Sequence, residues 1–333
     1  MTEDNVGTVF GAIVAADART ADGRVALRKG TALGEEHRAS LRALVGREFH
    51  VVDVAPDEVQ QDSVADRLAA AAAGAGVRPE RAEQGQARLR AVHRGILRIG
   101  VDAIRAVNAL RPLLCFTQPD GQVVLEGDEV AGVKSAALAT PRELLERAEA
   151  LLRSAGPAVS VRAFAPRRAF LVVTERLEAH GRDMVVGTVR RKVGWYGTTL
   201  AGATEVPHEP AAVAQALRAA IDDGADLFLV SGANPLDPLD PVLVALDRAG
   251  GRILSAGVPA HPGSMVWVGR LPGDVPILGV ATCAGFGKNT ALDLLLPRVL
   301  AGDEATAAVA EIGHGGLAEG PAAAGRFPPY DRG

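Results

Sequence analysis

Leu227–Pro241, LFLVSGANPLDPLDP, is the stretch that decides the fold. It begins as an unbroken apolar run, breaks at Ser231-Gly232, and carries Asp237 and Asp240 ahead of a segment with helical spacing. A strand that is apolar on both faces belongs inside a parallel sheet covered by helices. Where such a strand ends, the chain turns through small residues whose N–H groups can face a ligand, then enters a helix by its positive end. The layout is therefore that of an anion site, and two nearby carboxylates are what a Mg²⁺-bound phosphate compound requires.

Outward from this stretch the pattern continues from about residue 164. Residues 169–174 (AFLVVT) read as a buried strand, and Val185, Val189, Val193 and Tyr196 fall on one face of a helix that Gly197 can stop. A strand over 199–206 and a helix over 211–223, capped by Gly224, follow. Further strands are expected at 227–230, 252–254 and 275–280, with helices at 241–248 and 290–300. The class is α/β with a mostly parallel sheet. The first half reads as α+β: 8–16 and 24–27 flank Asp22-Gly23 as a hairpin, a helix covers 35–45, and a strand covers 48–54. A helix over 62–73, a second hairpin at Asp120-Gly121 and a helix over 141–153 complete it. The Ser154-Ala155-Gly156-Pro157 break divides an accessory domain, 1–157, from the α/β domain, 158–320, and 321–333 is expected to be a loosely ordered tail.

Composition bounds the function. The chain has 333 residues, 48% hydrophobic and 23% charged, and a net charge of −4, which gives no footprint for nucleic acid. Its two cysteines, Cys115 and Cys283, have no metal-ligand spacing and make no disulfide framework, so a cytoplasmic location is expected. No apolar run reaches about 18 residues and the first residues carry no signal pattern, so no membrane partner is expected either.

VPHEP (206–210), SGANPLDPLDP (231–241), AGG (249–251), GVPAHPGSM (257–265), NTALDLLLPRVLAGD (289–303) and IGHGGL (312–317) occur in an order and spacing that resembles one family. It is the molybdopterin-binding Mog/MoeA-like family of molybdenum cofactor biosynthesis. The chain is most similar to a branch found alone or fused to a nucleotidyltransferase domain, and VAPDEVQQDSVA (54–65), 85–99 and 130–134 resemble that branch's first half. The resemblance implies a three-layer αβα Mog/MoaB-like domain that binds the pterin and its phosphate. It also implies molybdopterin as ligand, Mg²⁺ and an ATP or AMP moiety for the members that adenylylate it, and molybdate transfer in others. Ser231 and Gly232 stand where the family's Thr-Gly-Gly loop begins, Asp240-Pro241 at its downstream Asp before a helix, and Pro262-Gly263-Ser264 at a second Pro-Gly loop. Ala233 and Asn234 replace the second glycine and its neighbour. His208 stands where catalytic relatives often have an aspartate, and Ala281-Thr282-Cys283 replaces a Pro-Gly turn. Binding is thus implied more directly than catalysis.

Each candidate has two readings. Asp240 before Pro241 is an ideal N-cap, or with Asp237 one of two metal ligands that would carry catalysis. His208, and likewise His261, either orients a ligand phosphate or is a solvent-facing loop histidine. Lys288 follows the last expected strand in Gly285-Phe286-Gly287-Lys288, which resembles a phosphate-binding P-loop but has Thr282 and Asn289 where that motif needs Gly and Ser/Thr. It reads as a ligand contact at a helix start, or as a surface lysine. Cys283 is a soft ligand or an inert thiol. Thr174-Glu175 sits at the ligand edge or simply enters a helix, and Gly313-His314-Gly315-Gly316 reads as a turn. The leading expectation is a molybdopterin-binding protein, with molybdo- or adenylyltransferase chemistry, that forms a homo-oligomer and serves a molybdoenzyme. The alternatives are a non-catalytic molybdopterin carrier or insertion chaperone, and a nucleotide-processing hydrolase.

Overall fold

The structure, a computed structural model, describes residues 2, 6–154, 156–285 and 287–330, apart from the side chains of 282, 283 and 322. It divides into two compact units, Met1–Arg162 and Ala163–Gly333. The Pro/Gly break at 154–157 is therefore not the division. Its chain is tied into the first unit, because Gly100 N donates to Ala158 O at 2.8 Å and Val161 N to Ala75 O at 2.9 Å.

Among the described residues the first unit shows two apolar clusters. The smaller one gathers Val14, Leu27, Leu41 and Leu44. Here β1 (Ile13–Val14) pairs with β4 (Val51–Val52), and β2 (Ala18–Arg19) pairs with β3 (Val25–Leu27), all antiparallel. The Asp22-Gly23 turn thus closes a hairpin, but its first arm is β2; the earlier 8–16 stretch contributes β1 to another pair. The helix expected over 35–45 is shorter, a 3₁₀ turn at Glu35–His37 leading into α1 (Arg38–Arg42).

The larger cluster is built on β5 (Glu58–Gln60), α2 (Gln61–Ala72), β6 (Val77–Pro79), β7 (Gln86–Ala91), β8 (Gly95–Ile99) and α3 (Val101–Asn108). It continues with β9 (Leu113–Thr117), β10 (Val123–Val124), β11 (Glu129–Ser135), β12 (Ala139–Pro141), α4 (Arg142–Arg153) and β13 (Val159–Ala163). An antiparallel sheet in the order β6-β7-β11-β9 lays Ala87, Leu89, Val133, Leu113 and Cys115 against Val64 and Leu68 of α2 and Leu145 and Leu152 of α4. Asp120-Gly121 does not close a hairpin between β9 and β10, because β10 pairs with β8 in a different sheet. The Asp120 carboxylate instead accepts from Ile99 N at 2.8 Å and ties the turn to the end of β8.

The second unit is a six-stranded sheet with helices. Its elements are β14 (Arg168–Val173), α5 (Ala179–Trp195), β15 (Thr199–Glu205), α6 (Pro210–Asp222), β16 (Leu227–Ser231), α7 (Pro241–Arg248) and β17 (Arg252–Ser255). They are followed by β18 (Val268–Leu271), β19 (Val275–Val280), the one-turn α8 (Thr282–Gly285), α9 (Ala291–Leu300) and α10 (Ala305–Ile312). The strand order is β15-β14-β16-β19-β18-β17. The first four are parallel, while β18 runs against both neighbours. All five residues of β16 are buried, as an apolar central strand requires. On one face Val172, Phe228, Val230 and Ile277 pack on Val213 and Leu217 of α6 and Ala245 and Leu246 of α7. Burying one of those leucines contributes roughly 2 kcal/mol. Among the described residues no helix is long and apolar enough to cross a membrane.

Candidate functional site

The register brings nearly every candidate to one edge. Residues 174–178, 206–209 and 232–240 leave the carboxyl ends of β14, β15 and β16, and 281–290 leaves β19. Because β17 runs parallel to β19 and β18 against it, the loop 256–267 opens at the same edge. His208, Ser231, Gly232, Asp237, Asp240, Pro262, Gly263, Ser264 and Lys288 all lie in these loops or at their starts. Ligands bind at this edge in open α/β sheets.

The centre of the edge is a hydrogen-bonded chain. The Thr174 hydroxyl donates to Ser231 O at 3.0 Å, crossing from β14 to β16. With its hydrogen so used, that oxygen accepts from His208, whose Nδ1 lies 3.0 Å away. Nε2 of the same ring faces the Asp240 carboxylate at 3.4 Å. Asp240 is buried and caps α7, its Oδ1 accepting from Val242 N at 2.8 Å and its Oδ2 from Asn234 N at 2.9 Å. Those amides hold the whole 234–240 loop to the helix start.

Gly232 turns the chain beside this network. Its φ is +98°, and a Cβ there would overlap the Thr174 hydroxyl and lie 2.8 Å from Glu175 Cγ. Only glycine meets both conditions without strain. The Ser231 hydroxyl is buried with no hydrogen-bond partner. The N–H groups of Gly232 and Ala233 likewise make no hydrogen bond to protein among the described residues. Three donors at one strand end thus lack protein acceptors among the described residues, and the buried Ser231 hydroxyl is the one that is costly to leave unpaired.

Asp237 is exposed, and its Oδ1 accepts from Leu239 N at 2.9 Å. Among the described residues no group of three or more His, Cys, Asp or Glu side chains converges as a metal centre. Asp240, expected as a co-ligand, has both oxygens engaged by backbone amides and a histidine, so the cap is the role its contacts show.

The Pro262-Gly263-Ser264 loop docks on α9. Pro262 O accepts from Ala291 N at 2.8 Å, and Gly263, with φ +102°, would place a Cβ 2.7 Å from the same nitrogen. Thr290 takes the next amides, its hydroxyl accepting from Leu292 N at 3.3 Å and its carbonyl from Asp293 N at 2.9 Å. The first turn of α9 is therefore closed by protein groups, which corrects the expectation of an open anion site there. Lys288 is exposed, and its carbonyl accepts from Lys192 Nζ at 2.8 Å. The proposed role of Cys283 rests on a side chain outside the described residues. His261 is exposed and lies 3.5 Å from Glu319.

One polar cluster escapes sequence reasoning. Lys192, 2% exposed at its side chain, pairs with fully buried Asp293 at 2.8 Å. The Tyr330 hydroxyl donates to the same carboxylate at 2.7 Å, and Tyr196 lies 3.3 Å from that hydroxyl. Burial foremost, then the negative neighbours Tyr196 and Asp293, holds the Tyr330 phenol well above its usual range. The described part of the segment expected as a loose tail, up to Tyr330, is thus anchored: a 3₁₀ turn at Gly320–Ala323 leads to a tyrosine seated on α5 and α9, and the rest of that expectation, 331–333, lies outside the described residues. The available signal was Lys192 next to Val193 in the apolar stripe of α5, a charge beside a core position.

No protein-family model matches the chain, and no curated protein matches it. Among solved structures, the Mog protein of molybdopterin biosynthesis from Mycobacterium ulcerans is similar at 18% identity over 40% of this chain and 94% of its own, with a TM-score of 0.30. A putative molybdenum cofactor biosynthesis protein from Corynebacterium diphtheriae is similar at 15% identity over 46% of this chain and 99% of its own, with a TM-score of 0.28.

Proposed function

We propose that the second unit is a three-layer αβα domain of the Mog/MoaB-like kind, and that its carboxyl edge binds molybdopterin, or a similarly phosphorylated pterin, in molybdenum cofactor biosynthesis. The observation that carries this reading is the set of unsatisfied donors at the end of β16: the Ser231 hydroxyl and the Gly232 and Ala233 amides. They suit a phosphate, whose oxygens accept from several N–H and O–H groups at once. His208 stands beside them with its side chain 39% exposed, held by Thr174 and Asp240, so its ring can reach a bound phosphate. The order of the motifs from 206 to 317 supports the pterin as the group that carries the phosphate.

A carrier or insertion function fits better than Mg-dependent transfer, because both Asp240 oxygens are engaged in capping and one of them also faces His208. Asp237 is the exposed carboxylate that a Mg²⁺ brought in with a nucleotide would meet.

The test is calorimetric titration of the full chain with molybdopterin and with its dephosphorylated form. Tight binding of the first, weakened at least tenfold in Ser231→Ala or His208→Ala, is expected; absence of heat and of thermal stabilisation by molybdopterin would overturn the reading. Turnover with Mg-ATP or molybdate would replace the carrier by a transferase.

A further inference from the structure

The outer face of the β6-β7-β11-β9 sheet in the first unit carries a concentration of positive charge that the fold does not need. Strand alternation buries Ala87, Leu89 and Val133 and turns Arg88 and Lys134 to the opposite face. Arg78 joins them from β6, directly opposite Arg90. Like charges facing each other across strands destabilise a sheet. Only part of this charge is offset within the sheet, through Arg90 on Glu80 at 2.8 Å and Arg88 near Glu129 at 3.3 Å. Arg78, Arg81 and Lys134 have no ion-pair or hydrogen-bond partner for their cationic groups among the described residues.

These groups border a cavity of about 620 Å³ lined by Arg78, Arg81, Arg88 and Lys134, with Glu80 and Glu83 as its acids. The volume suits a small ligand. One wall is the turn between β6 and β7, and it is held from behind: Asp66 accepts from Ala82 N at 2.6 Å and Asp62 from Gly85 N at 2.5 Å. Both carboxylates come from α2, so Arg81 stands on a braced turn. Gln84, at the turn's tip, has φ +51°, a conformation that side chains other than glycine rarely adopt and that surrounding structure must impose. A braced, strained turn beside uncompensated cations is a built feature.

We propose that this cavity binds a small ligand bearing two or more linked phosphates. The cations of Arg78, Arg88 and Lys134 stand on β6, β7 and β11, three neighbouring strands spaced about 4.8 Å apart, so the outer two strands lie about 9.6 Å apart, a span that two or three phosphates in a row match better than one. Arginine's planar fork suits phosphate oxygens, and a lysine adds a compact charge. An inorganic polyphosphate and the polyphosphate arm of a nucleotide share this chemistry.

The experiment titrates the full chain, at low salt, with inorganic triphosphate and separately with ATP. Saturable binding that weakens steeply as salt rises is expected, with at least a tenfold loss in Arg78→Ala/Arg81→Ala and at least a threefold loss in Lys134→Gln. Arg105→Ala, an exposed arginine of α3 that lines no part of the cavity, should change nothing. Equal affinity for triphosphate and ATP identifies the phosphates alone as the ligand, and tighter ATP binding identifies a nucleotide; both support the proposal. If the double variant fails to fold, Lys134→Gln decides alone. No binding of either probe, binding untouched by these variants, or binding only of a single-stranded oligonucleotide would overturn it.

Discussion

Nε2 of His208 lies 3.4 Å from Oδ2 of Asp240, so the residue that caps α7 also faces the histidine that follows β15. One carboxylate therefore links the start of a helix to the ligand edge, and substitutions can separate the two duties. Asp240→Asn keeps an acceptor for Val242 N but sets an NH2 group against Asn234 N, so it should melt somewhat below wild type, and Asp240→Ala, which loses both acceptors, should cost more, roughly 1–2 kcal/mol or above by urea denaturation. Affinity for a phosphorylated pterin should fall in both, because both lose the charge beside His208. An asparagine variant that binds like wild type would confine Asp240 to capping.

Gly232→Ala should lower stability by about 2 kcal/mol or more, since it forces an L residue into left-handed backbone and drives a methyl into Thr174 and Glu175. Thr174→Ser in the same background relieves nothing, because it keeps the oxygen that the methyl meets. Wild-type stability for Gly232→Ala would mean that the strand end rearranges freely.

Lys192→Met leaves Asp293 buried without its cation and should cost about 3–5 kcal/mol. Lys192→Met/Asp293→Asn should recover much of that loss, since the asparagine can still accept from Thr290 N. A double variant no better than the single would show that the charge pair is not the term that matters.

Alkaline melting reads Tyr330. Folding keeps its phenol neutral beyond the pH at which the unfolded chain ionises, so its contribution is complete below about pH 10 and declines as pH rises further. Wild type should lose melting temperature faster than Tyr330→Phe above that pH, although the phenylalanine variant starts lower for want of the bond to Asp293. Parallel alkaline curves would remove Tyr330 from the core.

Cys115 offers a check on the first unit. Burial pushes its thiol up to about 12, so in a Cys283→Ser background it should stay unmodified by a thiol reagent near pH 8 and react fully once urea unfolds the chain. Rapid native modification would show that β9 opens.

The sequence by itself determined the carboxy-terminal α/β pattern, because its signals are local. Leu227–Ser231 is apolar enough to be a central strand, Asp240-Pro241 states a helix start, and 3.6-residue spacing marks α5, α6 and α7. The same loops could be named as ligand-bearing before their geometry was known. The tertiary structure decided what those loops do to one another. That Thr174, His208 and Asp240 form one chain depends on β15 lying beside β14 and β14 beside β16, a strand order written in no short window. Pro262 closing the first turn of α9, and Tyr330 reaching Asp293, are likewise long-range contacts that remove an anion site and anchor a segment whose composition reads as loose. The first unit was least legible because its strands are short and pair out of order, β1 with β4 and β8 with β10. Pairing of this kind is selected by burial of the whole face, which alternation in any one strand cannot reveal.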